Sequence, residues 1–267
     1  MINLNTESNS SSLQQVQQKQ ESIFEKLASG KKVNSAADGA AAQQIIDRLT
    51  SQVEGNRQSV TNAYDGVSLA QVAESGLSGI NNDVSRIREL SVQAGNGILS
   101  DSDRQAIQAE VTQLQDNISQ TIEQTEFGGK SLLNSDSSIE FQVGANAGQK
   151  IGVETKDVAA SLSDVLNIDL TTAQGAEDAL AVADEAAEFV DSVRADLGAT
   201  QNQFESAARN LTQSNVNVAA ARSRIQDTDY AQATAESASA SILGQASISV
   251  QAQANQQQGQ VLSLLNG

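Results

Sequence analysis

The sequence predicts a mainly α protein: an elongated rod of long antiparallel helices with coiled-coil packing plus a small β-hairpin, with terminal helices that pair as an inner coiled coil. Three observations predict it. One residue set keeps alternating steps of three and four over seven heptads, no Pro interrupts any helix, and both ends carry heptad stripes on nearly uncharged faces.

The strongest stripe runs from Ala176 through Ala183, Val190, Leu197, Phe204 and Val218 to Ile225, with Thr171 and Gln174 spaced as a capping box before it. About 55 helical residues give roughly 80 Å. A compact chain of this length would be only about 50 Å across, so a rod is expected. Ahead of it, a helix from about Ala40 to Ala94 carries Ile45, Leu49, Val60, Ala63, Val67, Ala70, Leu77, Ile80, Val84 and Ile87, and Gly95-Asn96-Gly97 ends it. The next helix follows Ser100, capped with Asp103, carries Ile107, Val111, Leu114, Ile118 and Ile122, and stops at Phe127-Gly128-Gly129.

The period then changes. Ile139, Phe141 and Val143, a Gly-flanked turn, then Ile151 and Val153 alternate as a β-hairpin over about 137–156. Between Glu154 and Asp196 eleven acidic residues face only Lys156 and Arg194, which reads as a solvated outer face.

The two ends resemble each other. Leu13, Val16, Gln20, Ile23 and Leu27 keep heptad steps, and Leu243, Ala246, Val250, Gln253, Gln257, Val261 and Leu264 nearly do. After Glu236 the chain carries no charge, and residues 1–18 contain only Glu7. Copies of one segment can pack together through such faces, because like charges repeated by symmetry would repel. Two domains follow: 1–40 with 230–267 as an inner assembly domain, and 41–229 as a rod-like helical domain that includes the hairpin. On composition alone the ends also read as disordered tails; ends unstructured in the monomer and helical in a polymer reconcile the two.

Composition excludes most site chemistry. The 267 residues include no His, Cys or Trp, so nucleophilic triads, His or Cys metal sites, haem ligation and disulfides are out, and no cofactor is expected. A net charge of −17 with 3% aromatics argues against nucleic acid. No apolar run reaches membrane-span length, and no cleaved signal is expected at the start. Phe127-Gly128-Gly129-Lys130-Ser131 lacks the first glycine of a phosphate loop; Asp101-Ser102-Asp103 lacks the Gly and Glu of a calcium loop. Asp184, Glu185, Glu188 and Asp191 share a helix side, with no His or aromatic wall to make them an acid-base site. The chain is expected not to be an enzyme.

Several segments together resemble bacterial flagellin: LASGKKVNSAADGAAAQQIIDRLTSQ, SRIRELSVQAGNG, QTEFGGKSLL, FQVGANAGQ, LGATQNQFESAARNL, SRIQDTDYA and the C-terminal QASISVQAQANQQQGQVLSLLNG. The resemblance spans nearly the whole chain. It implies a secreted, non-enzymatic subunit that self-assembles into the extracellular flagellar filament, with terminal helices forming an inner tubular layer. The span from about Leu133 to Thr171 leaves room only for the hairpin and a short connection, so a short form without variable outer domains is expected. The implied partners are further copies of the chain, an export chaperone, a filament cap and hook-junction proteins. By position, Arg86, Leu90 and Glu110 match residues through which a vertebrate Toll-like receptor reads some members, with Ser85 where the family often carries Gln. The assembly interface is expected to run along Leu13, Val16, Ile23 and Leu27 against Ile242, Leu243, Val250, Val261, Leu264 and Leu265. A hook-filament junction protein of the same superfamily and a soluble coiled-coil binding module are the alternatives.

Overall fold

The computed structural model describes the backbone of residues 3–265, and the side chains of residues 11–257, 259 and 260. The interface candidates Val261, Leu264 and Leu265 therefore lie outside the described side chains. The chain divides into two compact units, residues 1–53 with 216–267, and residues 54–215. This grouping places residues 41–53 and 216–229 with the terminal helices.

In the first unit, α1 (Asn3–Ser29) pairs with α6 (Tyr230–Leu265). The turns beside them are stapled: Lys32 N donates to Gln226 O at 2.6 Å, Thr228 N to Gly30 O at 3.0 Å, and Tyr230 Oη to Leu27 O at 3.1 Å. Gly30 sits at φ +69°, where a side chain would be strained and would crowd the tyrosine hydroxyl. Asp38 then accepts from the backbone N–H groups of Asn34 and Ser35 at the start of α2 (Ala36–Ala94), whose regular part follows a break at Gly39. Ile46, not the expected Ile45, is buried here; Ile45 is 46% exposed. Heptad steps back from Ala63 pass through Val60, Asn56, Val53 and Leu49 to Ile46, and the polar Asn56 at a seam position hid that phase.

The second unit is built on α2 and α5 (Ala173–Gln226). The seam lies where its period put it: Ala176, Ala179, Ala183, Ala186, Val190, Val193, Leu197 and Phe204 are buried, as are Ala63, Ala70, Leu77, Ile80, Val84 and Ile87 opposite. Toward Ile225 the same stripe is only half-buried. The cap of α5 is one residue later than expected, because the Thr172 hydroxyl accepts from Gly175 N at 3.0 Å while Thr171 N turns back to Asp169. Small residues let the helices approach closely: a Cβ on Gly66 would sit 2.5 Å from Phe204 Cζ.

α3 (Asp101–Gln124) begins with the expected Ser100–Asp103 capping box. Its Arg104, 8% exposed, donates to Ala94 O, Leu99 O and Asn96 O, closing the end of α2. Phe127-Gly128-Gly129-Lys130 is a tight hairpin joining β1 (Glu126–Phe127) to β2 (Lys130–Ser131), and both glycines have φ near the left-handed values such a turn requires, +59° and +77°. The larger hairpin is also where it was expected: β3 (Asn134–Gln142) pairs antiparallel with β4 (Lys150–Asp157), Ile139 opposite Val153 and Phe141 opposite Ile151. Phe141 meets Phe204 edge-on at 5.5 Å, and Asn62 donates to Gln142 O, so the hairpin is fastened to α2 and α5.

The connection to α5 is short but not loose. After the single turn α4 (Val158–Ser161), Leu162, Val165, Ile168 and Leu170 are all buried against α3. Gln108 and Gln115 donate to Ile168 O and Val165 O, and Gln108 also accepts from Leu170 N.

Gly66→Ala should cost about 1–3 kcal/mol by overpacking against Phe204. Gly198→Ala, in a helix with open space around it, should stabilise by about 0.4–1 kcal/mol. Urea unfolding of both variants checks the close approach, and a neutral Gly66→Ala would refute it.

Acid should loosen the helix starts. Hydrogen bonds from Ser100 hold Asp103 below its ordinary 3.8, backbone N–H groups of Ser35 and Asn34 do so for Asp38, and Thr171 does so for Asp169. A lowered carboxyl stabilises the fold above its unfolded value, and that contribution is lost as pH falls through the folded value. Burial pushes Asp83 the other way, so its contribution is lost as pH rises. Ser100→Ala should therefore lower stability at neutral pH and flatten the decline below about pH 4, read from denaturant midpoints against pH.

Candidate functional site

The candidate functional surfaces lie on the two units. In the α1·α6 pair the predicted α1 stripe faces inward: Ile23 is buried and Leu13, Val16, Gln20 and Leu27 are half-buried. Its partner face on α6 keeps strict steps of four and three through Ala233, Ser237, Ala240, Gly244, Ser247, Gln251 and Ala254, all small residues except Gln251. Gln20 reaches Ser241 Oγ, and the Val16 methyl lies 3.6 Å from where a Cβ on Gly244 would stand. The larger apolar residues chosen from the sequence stay outside: Ile242, Leu243 and Val250 are 67%, 56% and 55% exposed. At 3.6 residues per turn, Ile242, Leu243, Ala246 and Val250 fall within about 100° of arc, away from the small face.

In the single chain Leu13, Val16, Ile23 and Leu27 therefore face α6; of the expected α6 residues, Leu243 borders the groove beside Val16, and Ile242 and Val250 stay exposed. The α6 face that meets α1 has its own sequence signal, Ala, Ser or Gly at all but one of its steps of three and four.

Charge is divided unevenly between the units. The first holds seven Lys and Arg against eight Asp and Glu, whereas the second holds nine against 25, a balance of −16. Nearly all the net charge therefore sits on the second unit. Its acidic helix side is solvated as expected: Asp184 accepts from Arg88, and Asp191 accepts from Asn81 and lies near Arg194. Among the described residues no three metal-capable side chains converge.

Arg86, Leu90 and Glu110 do come together, in unequal roles. Arg86 donates through Nε and Nη2 to Glu110 Oε1 and through Nη1 to Glu89, which raises its pKa further above the ordinary value. Both ends of the Arg86–Glu110 pair are about half exposed. Leu90 is 2% exposed and belongs to the core, so it offers no surface to a docking partner in this chain. Asp103 of the Asp101-Ser102-Asp103 run is engaged in the helix cap, and the Gly128-Gly129 pair is the hairpin turn.

Comparison with known proteins matches residues 2–138 to the bacterial flagellin N-terminal helical region and residues 180–265 to the bacterial flagellin C-terminal helical region. A flagellin of Shigella flexneri is 42% identical over 187 residues, 70% of this chain and 33% of its own length. A flagellin of Escherichia coli O127:H6 is 47% identical over 137 residues, 51% of this chain and 25% of its own length. The match therefore spans a third or less of these relatives. Among solved structures, a Bacillus cereus flagellin superposes with a TM-score of 0.53 at 28% identity, covering 61% of this chain and 94% of that one. A hook-associated protein from Vibrio parahaemolyticus, described as putative in its own name, reaches 0.61 at 13% identity over 71% of this chain and all of that one, which shows a shared fold only. The N-terminal match alone covers more than half of the residues, and the C-terminal match follows it in order: the chain belongs to the bacterial flagellin family.

Proposed function

We propose that this chain is a non-enzymatic structural subunit that polymerises with copies of itself into the extracellular filament of the bacterial flagellum, which carries motor rotation to the surrounding fluid. The observation that carries the reading is the outward face of α6. Ile242, Leu243 and Val250 are more than half exposed on a helix that has no charge after Glu236, while the same helix meets α1 through small residues. A contiguous patch of exposed large apolar side chains marks an interaction surface. Family membership supplies the kind of interface, a second copy.

The finer partners rest on the resemblance. An export chaperone, a filament cap and hook-junction proteins would engage the terminal segments; a Toll-like receptor would read the Arg86–Glu110 pair. The ends of the chain gain their order from neighbouring copies, so amide exchange should be fast in α1 and α6 of the monomer and slow in the polymer. Equal protection in both states would count against that coupling.

Ile242→Asp and Val250→Asp should each abolish filament growth in electron micrographs and leave the monomer's helix content unchanged, since the side chains are exposed in the single chain. An unpaired carboxylate repeated in every interface costs on the order of several kcal/mol per copy. Normal filaments from both variants would refute the assignment of that face.

Added salt should lower the concentration needed for growth, because second units repeated along a polymer repel through a charge of −16 each. The screening length shrinks to about 8 Å at physiological ionic strength. Light scattering across a salt series reads this directly; a flat response would show that repulsion is not the barrier.

A further inference from the structure

We propose that Asn96 is a site of spontaneous modification, converting to aspartate and isoaspartate through a cyclic imide formed with Gly97. Asparagine is chemically labile, and its lability is greatest where the next residue is unshielded and its amide nitrogen is free to attack. Among the described residues Asn96 is the one asparagine followed by glycine. Both residues lie exposed in the turn between α2 and α3, and nothing approaches within 4 Å of the Gly97 Cα substituent position.

Two details favour reaction in the folded chain. Among the described residues the Gly97 amide finds no hydrogen-bond acceptor, so its nitrogen is not tied down. The Asn96 carboxamide is folded back over the turn, its Oδ1 accepting from Ile98 N at 3.2 Å, which polarises Cγ toward attack. Asn34 provides the contrast. Its following residue, Ser35, also could attack, but the Ser35 amide donates to Asp38 Oδ2 at 2.8 Å, and the Asn34 carboxamide is held by Glu25.

The chemistry needs only water. Gly97 N loses its proton to solvent and bonds to Asn96 Cγ; the bond from Cγ to the amide nitrogen breaks and ammonia leaves. Water then adds to either imide carbonyl, giving aspartate or isoaspartate and one more negative charge. The isoaspartyl product matters structurally, because it routes the main chain through the former side chain. The Asn96 carbonyl accepts from Leu99 N and from Arg104 Nη2. Displacing it removes one of three carbonyl acceptors from a guanidinium that is 8% exposed, and loosens the joint between α2 and α3.

The full chain, folded and in denaturant, should be incubated in mildly alkaline buffer and its tryptic segment Glu89–Arg104 followed by mass, with isoaspartate detected by methyltransferase labelling. In the folded chain Asn96 should show the amide-to-acid mass increase at least as fast as in denaturant, while Asn34 converts only in denaturant. Gly97→Ala should slow conversion at Asn96, and the isoaspartyl fraction should melt at a lower temperature than unmodified protein. An Asn96 that stays intact in the folded chain while the denatured chain converts would overturn the proposal, as would equal rates in the unaltered chain and the Gly97→Ala variant.

Discussion

Close approach of α2 and α5 is the constraint on which the second unit depends. Alanines along both seams, and Gly66 beneath Phe204, bring two helix backbones together over many turns. Little area is buried per alanine, so the pairing relies on length and on continuity of register. Phe204 is the large exception, and it is also where the β3·β4 hairpin is anchored through Phe141. α3 and the segment ending at Leu170 then cover the remaining side of α2. The polar backbone of that segment has to be satisfied there, and Gln108 and Gln115 do so from within α3.

The helices of this architecture were legible in the sequence because their seams are periodic and unbroken by Pro. The β3·β4 hairpin was legible for the same reason, since alternation replaced the helical period between Ile139 and Val153. What escaped were positions where a polar or small residue occupies a packing site. Asn56 at a seam position displaced the reading from Ile46 to Ile45. Arg104 carries no periodic signal, because its role is set by three carbonyls at the far end of another helix. Thr171 and Thr172 are both good caps by type, and only the backbone path decides between them.

Within the single chain the α1 stripe from Leu13 to Leu27 turns toward α6, while α6 turns mostly small residues toward α1 and leaves Ile242, Leu243 and Val250 more than half exposed. Size is a poor guide to an intrachain seam when the seam is built from Ala, Ser and Gly. Leu90 escaped for a different reason: its position in a motif said nothing of its exposure, and it lies in the core at 2% exposed.

The division of roles on α6 has an energetic consequence. Its inward face offers α1 few apolar atoms, and Gln20 and Ser241 put a polar contact in the middle of it. A pair of helices joined this way gains little from burial and loses conformational entropy along its whole length. Ile242, Leu243 and Val250 remain more than half exposed on α6. In the polymer proposed above, burial of that face would stabilise the terminal helices and join subunits at once, so order in the first unit and growth of the filament would be one equilibrium. The charge follows the same division. The unit with the exposed apolar face of α6 is nearly neutral, and the other carries a balance of −16.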